Sequence, residues 1–362
     1  MTFTEQFPVL NQCTYLNTAN SGILSKTLFD WRRENDLEFM ASGSRFRLKQ
    51  QHFLLTVKEN VSRYFHAKAE NTFLVPNFSF GFNVFLDGLP ANTHFLLLRE
   101  DYPSVNYAVE CRGFKCSYLP ISQNLENDIL EQLTINEPNV LAISLVQYIS
   151  GIRIDLNFLK EIKKQFPNLL IVADGTQFCG TERFDFESSG LDVLISSGYK
   201  WMLSGYGNGF VFIKETIKNR LYQDRQSRNL PAEPFLKDIK PLNLCFEPGH
   251  QDTIAFGSLS QSVLYLETLG CDLIENRIRK LSTRAKAEFT SRGLLAAEVT
   301  GREKHSSIFN LKASPGLYEK LEQANIVVSA RGQGIRISFH FYNTDEELNH
   351  LLEVIDNEIN PL

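Results

Sequence analysis

Short, continuous apolar runs bounded by polar residues recur between residues 95 and 195. A run without alternation is typical of a strand that is buried on both faces, and such strands belong to parallel sheets covered by helices. Amphipathic segments separate the runs, and in Asn157–Phe166 the apolar positions fall at helical spacing. Alternating strands and helices predict a doubly wound α/β fold with right-handed crossovers. The runs are Phe95–Leu98, Val140–Val146, Leu169–Ala173 and Leu191–Ile195.

The last predicted strand, Gly334–Phe341, has a different pattern, because its apolar residues alternate with Arg336, Ser338 and His340. Strict alternation is typical of a sheet covered on one face only. We therefore expect a smaller α+β domain at the carboxyl end, with Arg336 on its open face.

Capping boxes, in which a Ser or Thr is followed three residues later by Glu or Gln, predict two helix starts. One is Ser258–Gln261, whose helix would end at Gly270, and the other is Thr344–Glu347. Between about residues 230 and 249 the chain contains four prolines. This composition predicts a long functional loop.

Composition narrows the class of protein. The formal net charge is -5 and no concentrated basic segment is present, so nucleic acid is not an expected partner. No apolar stretch approaches the ~20 residues of a membrane helix, and the amino terminus lacks a signal pattern. The six cysteines and seven histidines show neither disulfide nor metal-ligand spacing. We expect a cytoplasmic protein with reduced thiols, without a metal site and without membrane association.

Two neighbouring buried strands end on chemically active side chains. The run Leu169–Ala173 leads into Asp174 and Gln177, and the run Leu191–Ile195 leads toward Lys200. Ligands of open α/β sheets bind beyond the carboxyl ends of strands, so the acid and the lysine should share one crevice. This pair suits pyridoxal phosphate (PLP), because a lysine amine forms its Schiff base and a carboxylate keeps the pyridine nitrogen protonated. Taken singly, Asp174 capping a turn and Lys200 on the surface remain an alternative.

Three signatures in order resemble those of class V aminotransferases, the group that includes cysteine desulfurases, kynureninase and isopenicillin-N-epimerase-like proteins. They are Tyr15–Ala19, the stretch from Ala173–Gln177 through Ser197–Trp201 to Gly205–Gly209, and Arg336–Thr344. The resemblance implies the PLP-dependent transferase fold (fold type I), with a large, mostly parallel, doubly wound domain over residues 15–250. Residues 1–14 and 251–362, including a connecting helix, would form the small α+β domain. It also implies a homodimer with the active site at the subunit interface.

The same resemblance implies a role for individual residues. Lys200 would carry the cofactor, with Asp174 on the pyridine nitrogen, Gln177 on the phenolic oxygen and the ring of Tyr102 stacked on the pyridine. Arg336 would grip the substrate α-carboxylate. The positions implied for phosphate binding are Phe78, Ser79, Ser197, Tyr199 and, toward the neighbouring subunit, His250, where relatives usually have threonine.

The sequence defines the reaction less well than it defines the cofactor. Cysteine desulfurases present a catalytic cysteine shortly before the Arg336 strand, but Val327–Gly334 contains none. This absence favours transamination or related Cα chemistry on a small amino acid, a reaction compatible with a 2-oxo acid co-substrate. The alternatives are a cysteine or selenocysteine lyase with desulfurase-like β-elimination, and a non-catalytic PLP-binding module.

Overall fold

A seven-stranded sheet forms the centre of the computed structural model, which describes residues 3–226, 233, 239–314 and 316–359. The strand order is β2-β8-β7-β6-β5-β3-β4, and all neighbouring pairs are parallel except the two that involve β8. Its strands are β2 (Thr72–Val75), β3 (His94–Leu98), β4 (Lys115–Leu119), β5 (Val140–Ser144), β6 (Leu170–Asp174), β7 (Val193–Ser197) and β8 (Gly209–Ile213).

The four apolar runs all form strands of this sheet, as predicted, because both faces of the sheet are covered. Alternate residues of each strand belong to two separate apolar clusters, so that Leu96 packs on one side and Phe95 on the other. One face is covered by α3 (Phe78–Asp87), α4 (Pro103–Glu110) and α9 (Pro241–Phe246). The opposite face is covered by α2 (Gln50–Tyr64), α5 (Leu125–Asn136), α6 (Leu156–Gln165) and α10 (Thr253–Leu269).

The remaining helices lie along the sequence around these layers. They are α1 (Lys26–Ser42), α7 (Glu215–Lys218), α8 (Gln223–Gln226), α11 (Cys271–Ser291), α12 (Ala297–Thr300), α13 (Leu317–Gln323) and α14 (Asp345–Ile359), with 3-10 helices at Pro8–Asn11, Gly43–Lys49 and Ala69–Asn71. No helix in the described ranges is both long and apolar enough to cross a membrane.

The carboxyl-terminal strands form an antiparallel sheet of order β11-β12-β9, and β1 (Thr14–Tyr15) pairs in parallel with β10. The expectation that one face of this sheet is open is wrong. Arg336, Ser338 and His340 are all buried, because the amino-terminal segment and the segments that follow β5 and β7 cover that face. Ser338 accepts a hydrogen bond from the Ala19 N–H, and His340 contacts the Trp201 carbonyl. These strands are β9 (Ile308–Leu311), β10 (Ile326–Val327), β11 (Ser329–Arg331) and β12 (Gly334–Ser338).

One of the two capping boxes is confirmed and the other is wrong. The Thr344 N–H donates to the Glu347 carboxylate at 2.9 Å, and the Glu347 N–H donates back to the Thr344 hydroxyl at 3.3 Å. Ser258, in contrast, lies inside α10, where its hydroxyl donates to the Ile254 carbonyl. The cap of α10 is Asp252, and the helix ends at Gly270 as predicted.

The predicted loop over residues 230–249 includes a short helix, since Pro241 begins α9 at a position where proline's missing N–H costs nothing. Most of the residues from 230 to 238 lie outside the described residues. Division into a large domain over residues 15–250 and a small domain over residues 1–14 and 251–362 remains a proposal.

The capping box of α14 provides a test of the fold. Thr344→Ala removes the hydroxyl that accepts from Glu347 and should lower the free energy of unfolding by about 1 kcal/mol. Urea unfolding of the two proteins measures the difference. Thr134→Ala, at an exposed position inside α5, is the control and should change stability by less than about 0.5 kcal/mol. Equal stability of Thr344→Ala and the unaltered protein would contradict the assigned cap.

Candidate active site

A cavity of about 290 Å³ lies at the carboxyl ends of β5, β6 and β7, and we call it the cofactor cavity. Its volume is at the small end of the range for small-molecule sites. The chain order places it at a switch point, because the chain leaves β3 toward β4 in one direction and builds β5, β6 and β7 in the other. It is lined by Pro76, Asn77, Phe78, Ser79, Tyr102, Ser144, Val146, Tyr148, Asp174, Thr176, Gln177, Ser197, Tyr199, Lys200, Tyr206 and Gly207.

Asp174 and Lys200 lie together in this cavity, as the strand ends predict. Asp174 is the last residue of β6, and its carboxylate accepts the Thr176 N–H at 2.8 Å. Burial raises the pKa of Asp174 to about 6, although Thr176 and the nearby Lys200 act in the opposite direction. Burial also lowers the pKa of Lys200 to about 8, against the attraction of Asp174 and with the repulsion of Arg336. The site therefore holds an amine that is partly neutral near physiological pH.

The turn that carries Lys200 is held by close packing against the amino-terminal segment. The Gly22 N–H donates to the Tyr199 carbonyl at 2.8 Å. A Cβ atom at Gly22 would lie 2.2 Å from the Lys200 carbonyl oxygen, so only glycine permits this approach.

The start of α3 meets the end of β7 on another side of the cavity. The Phe78 N–H donates to the Ser197 hydroxyl at 2.8 Å, and the Phe80 N–H donates to the Asn77 side chain at 2.9 Å. The Ser79 N–H has no partner in the described part of the chain, and its hydroxyl contacts Ser104 at 2.9 Å. A helix start with a free N–H and two hydroxyls is suited to an anion such as phosphate.

Aromatic rings surround the Lys200 amine. Its Nζ lies 5.8 Å from the ring centroid of Tyr102 and 5.5 Å from that of Tyr199. Tyr102 is the N-cap of α4, and its ring meets that of Tyr148 edge-on at 5.1 Å. Tyr199 stacks on Tyr206 at 4.9 Å. Gln177 also lines the cavity, where its side chain accepts from Trp201 and donates to the Ala19 carbonyl.

Arg336 is near the cavity but does not line it. Its side chain is buried, with an Nη1 that donates to the Tyr148 carbonyl at 2.8 Å and an Nε that has no partner among the described residues. Burial lowers the pKa of Arg336 to about 10, so the guanidinium is still charged at neutral pH. A buried cation with an unused donor is suited to an incoming carboxylate.

The structure brings all but one of the predicted cofactor residues to the cavity. His250 is exposed and does not line it. Its implied contact with a neighbouring subunit therefore stays a prediction.

Sequence analysis missed several residues of the site. The carboxylate of Asp101 is buried and accepts both the N–H and the hydroxyl of Ser144, joining the ends of β3 and β5. Tyr148 and Tyr206 contribute rings to the cavity. Thr176, inside the Ala173–Gln177 signature, accepts the Ser197 N–H at 3.1 Å, and its place in that signature was the available signal.

These residues fit PLP. The free Ser79 N–H and the serine hydroxyls supply phosphate donors, while the buried carboxylate and amine lie in the same cavity under an aromatic ring. A mostly parallel doubly wound sheet with this set at its strand ends defines the fold type I class of PLP-dependent enzymes.

The sequence profile of the family "Aminotransferase class-V" matches residues 40–351, and the chain belongs to this family. It is 20% identical to an uncharacterized aminotransferase of Bacillus subtilis over 98% of this chain and 96% of that protein. It is 23% identical to the isopenicillin N epimerase of Amycolatopsis lactamdurans, over 97% and 96%. A probable cysteine desulfurase of Borreliella burgdorferi is 24% identical, and that match spans 62% of this chain and only 58% of the relative.

Solved structures agree on the fold. The apo cysteine desulfurase of Thermococcus onnurineus matches with a TM-score of 0.83 at 18% identity, over 99% of this chain and 98% of that one. The cystine C–S lyase C-DES, in complex with cysteine persulfide, matches with the same TM-score and identity over 97% and 99%. The resemblance, the fold class and the PLP cofactor are thereby confirmed, and the protein is a class V PLP-dependent enzyme. Transamination is not confirmed, since desulfurase and lyase names predominate among these similar proteins.

The lowered pKa of Lys200 predicts the reactivity of the apoprotein. Only a neutral amine reacts with an acylating reagent, so the modification rate of Lys200 should level off near pH 8. The modification rate of an ordinary lysine would level off at about pH 10.4. Because Asp174 raises the pKa of Lys200, the midpoint should fall further in Asp174→Asn. Peptide mass spectrometry measures both rates.

Lys164, which is exposed, is the control, because its modification rate in the same digests shows how the reagent reacts with an ordinary lysine. If the modification rate of Lys200 keeps rising with pH up to the pKa of an ordinary lysine, the burial of Lys200 is contradicted. An unchanged midpoint in Asp174→Asn would show that the two groups do not interact.

Proposed function

We propose that this protein is a PLP-dependent lyase that eliminates the sulfur substituent of a small amino acid. The observation that carries the proposal is that the Lys200 amine and the Asp174 carboxylate line one cavity and that the buried Arg336 guanidinium lies beside it. A non-catalytic PLP-binding module needs no unused, buried guanidinium beside the lysine. Sulfur elimination is supported by the desulfurases and the cystine lyase among similar proteins.

The residues of the cavity have separable tasks in binding PLP. Ser79, Ser197 and the start of α3 would hold the phosphate, and Asp174 would keep a proton on the pyridine nitrogen. Tyr102 would lie against the ring, and Gln177 has a second amide hydrogen for the phenolic oxygen. When bound, PLP supplies an electron-withdrawing ring that allows the Cα–H bond of an amino acid to break.

Lys200 is the base in this proposal. An amine with a pKa of about 8 is neutral in a useful fraction of molecules near neutral pH, so it can take the proton from the substrate Cα. Arg336 would bind the substrate α-carboxylate through its free Nε and orient the Cα–H bond toward Lys200. Tyr102, Tyr148 and Tyr199 limit access of water to the amine.

The sulfur leaves without help from a protein thiol. All six cysteines lie in the described part of the chain, and none of them lines the cofactor cavity. In the balanced reaction, cysteine and water give pyruvate, ammonia and hydrogen sulfide, because the Cα–H and Cβ–S bonds break and no electron acceptor is consumed. Transamination differs from this reaction, since it requires a 2-oxo acid and releases no ammonia.

The holoenzyme incubated with L-cysteine or L-cystine should therefore form pyruvate and ammonia in equal amounts without an added 2-oxo acid. Arg336→Gln should raise the KM for both amino acids about ten- to a hundredfold, as expected for the loss of a charged hydrogen-bonded pair. Coupled assays of pyruvate and ammonia measure both effects.

Arg279→Gln is the matched control, because Arg279 is exposed on α11 and, among the described residues, pairs with Glu275 and Asn276 of its own helix. Product formation that depends on a 2-oxo acid, without free ammonia, would show an aminotransferase instead. If no amino acid changes the absorbance of bound PLP, the binding-module alternative is favoured.

The homodimer also belongs to this proposal. Exposed apolar side chains are grouped on α1, on the following 3-10 helix and on α2, and contacts with a second copy would cover them. Met40 and Leu48 are 78% and 84% exposed. His250 lies outside the cofactor cavity of its own chain, and in this proposal it contacts the second copy. The other members of this apolar surface are Phe29, Leu37, Phe39 and Leu55.

Replacing Met40 and Leu48 together by Asp should convert the dimer to a monomer, because two charges would be buried at the interface. Light scattering after gel filtration measures the mass. Ile135→Asp, an equally apolar but separate exposed position on α5, should remain dimeric. A monomeric unaltered protein, or a dimeric double variant, would refute this interface.

All six cysteines are free in the structure. Unpaired thiols are usual in reducing compartments. This supports the proposal that the enzyme works in the cytoplasm.

A further inference from the structure

Two arginines project from the same face of the β11–β12 hairpin. In its register Ser329 is opposite Arg336 and Arg331 is opposite Gly334. Residues opposite one another in antiparallel strands share a face, as do residues two apart, so Arg331 and Arg336 are diagonal neighbours. At such positions the Cα atoms are roughly 7–8 Å apart, within reach of long side chains.

This face is directed at the entrance of the cofactor cavity. Ser329 donates to Asn17 at 2.7 Å, and Arg331 donates to Asn20 at 3.4 Å, next to Ser21. Ser21 accepts the Tyr206 hydroxyl at 2.9 Å, and Tyr206 lines the cavity. The adjacent Gly332 lies close to Ile149, the residue after Tyr148. Arg331, which is exposed, therefore lies beside two segments that border the cavity.

Neither arginine has a carboxylate partner among the described residues. Arg336 donates to a backbone carbonyl, and Arg331 makes one long hydrogen bond to an amide. The two guanidinium groups also repel each other, and Arg331 contributes to the lowered pKa of both Arg336 and Lys200. The guanidinium groups of Arg331 and Arg336 and the amine of Lys200 thus lie near one another. Asp174 is the acid beside the Lys200 amine. The α-carboxylate of a substrate neutralises one of the two arginines and leaves Arg331 without a counter-charge.

We propose that Arg331 binds a second carboxylate of the substrate, so that the preferred substrates are α-amino acids with a further anionic group beyond Cβ. This inference rests on the proposed function, for which L-cystine is the matching sulfur compound. Cystine and water give pyruvate, ammonia and cysteine persulfide when the Cα–H and Cβ–S bonds break. The second carboxylate then belongs to the leaving persulfide, and Arg331 holds the leaving fragment while the bond breaks.

The test compares substrates that differ in the second anionic group. In Arg331→Gln, kcat/KM for L-cystine should fall at least about tenfold, the size of one lost charged hydrogen bond. The value for L-cysteine, which has one carboxylate, should change less than about twofold. Arg331→Lys should restore part of the cystine rate, because it restores the charge. Cystamine, which keeps the disulfide but has no carboxylate, should inhibit both proteins equally.

The outcomes separate this inference from the proposed function. An equal loss for cystine and cysteine would place Arg331 on the α-carboxylate and overturn the inference, as would no loss for either. If the unaltered enzyme releases no ammonia from any substrate, the proposed elimination fails. The inference is then decided by the affinity of cystine against cysteine, measured from the absorbance of bound PLP in the unaltered enzyme and in Arg331→Gln.

Discussion

The burial of an amine and a carboxylate at the ends of two adjacent strands is the constraint on which the rest of the site depends. Removing a charge from water costs several kcal/mol unless it is paired, so Lys200 and Asp174 are tolerable only because each is close to the other. The strand pairing of β6 with β7 fixes this proximity. The register of the large sheet therefore places both groups where burial shifts their pKa values and where each partly offsets the shift of the other.

The same constraint explains why the surrounding elements are packed so closely. Asp101 and Ser144 tie β3 to β5, Ser197 ties β7 to α3, and Gly22 allows the amino-terminal segment to lie against the Lys200 turn. Asp174 and Lys200 are buried among these contacts, and low exposure to water strengthens the electrostatic interactions between them. The positive charges of Arg331 and Arg336 then attract anionic substrates.

Local features of the fold and site could be predicted from the sequence, and features formed by distant segments could not. The strand runs and the positions of Asp174 and Lys200 follow from burial patterns along single segments. Ser258 shows the limit of a local pattern, because it has the spacing of a cap but its hydroxyl is satisfied inside the helix by Ile254. The face of β12 was expected to be open because alternation does not reveal that residues 16–19 return to cover it. For the same reason, the approach of Arg331 to the cavity depends on a hairpin register that no spacing discloses.

The contact of the amino-terminal segment with both the Lys200 turn and the last strands has a consequence for biosynthesis. Strand β1 pairs with β10, and Asn17 bridges Ser338, so the partners are separated by more than three hundred residues. Such contacts carry a high loop-closure cost and form late. On the ribosome, residues 14–17 must therefore wait until residues 326–338 have been made before they can pack against them. The large sheet can therefore assemble while the chain is still growing, but catalytic competence arrives only after residues 326–338 have been made and packed.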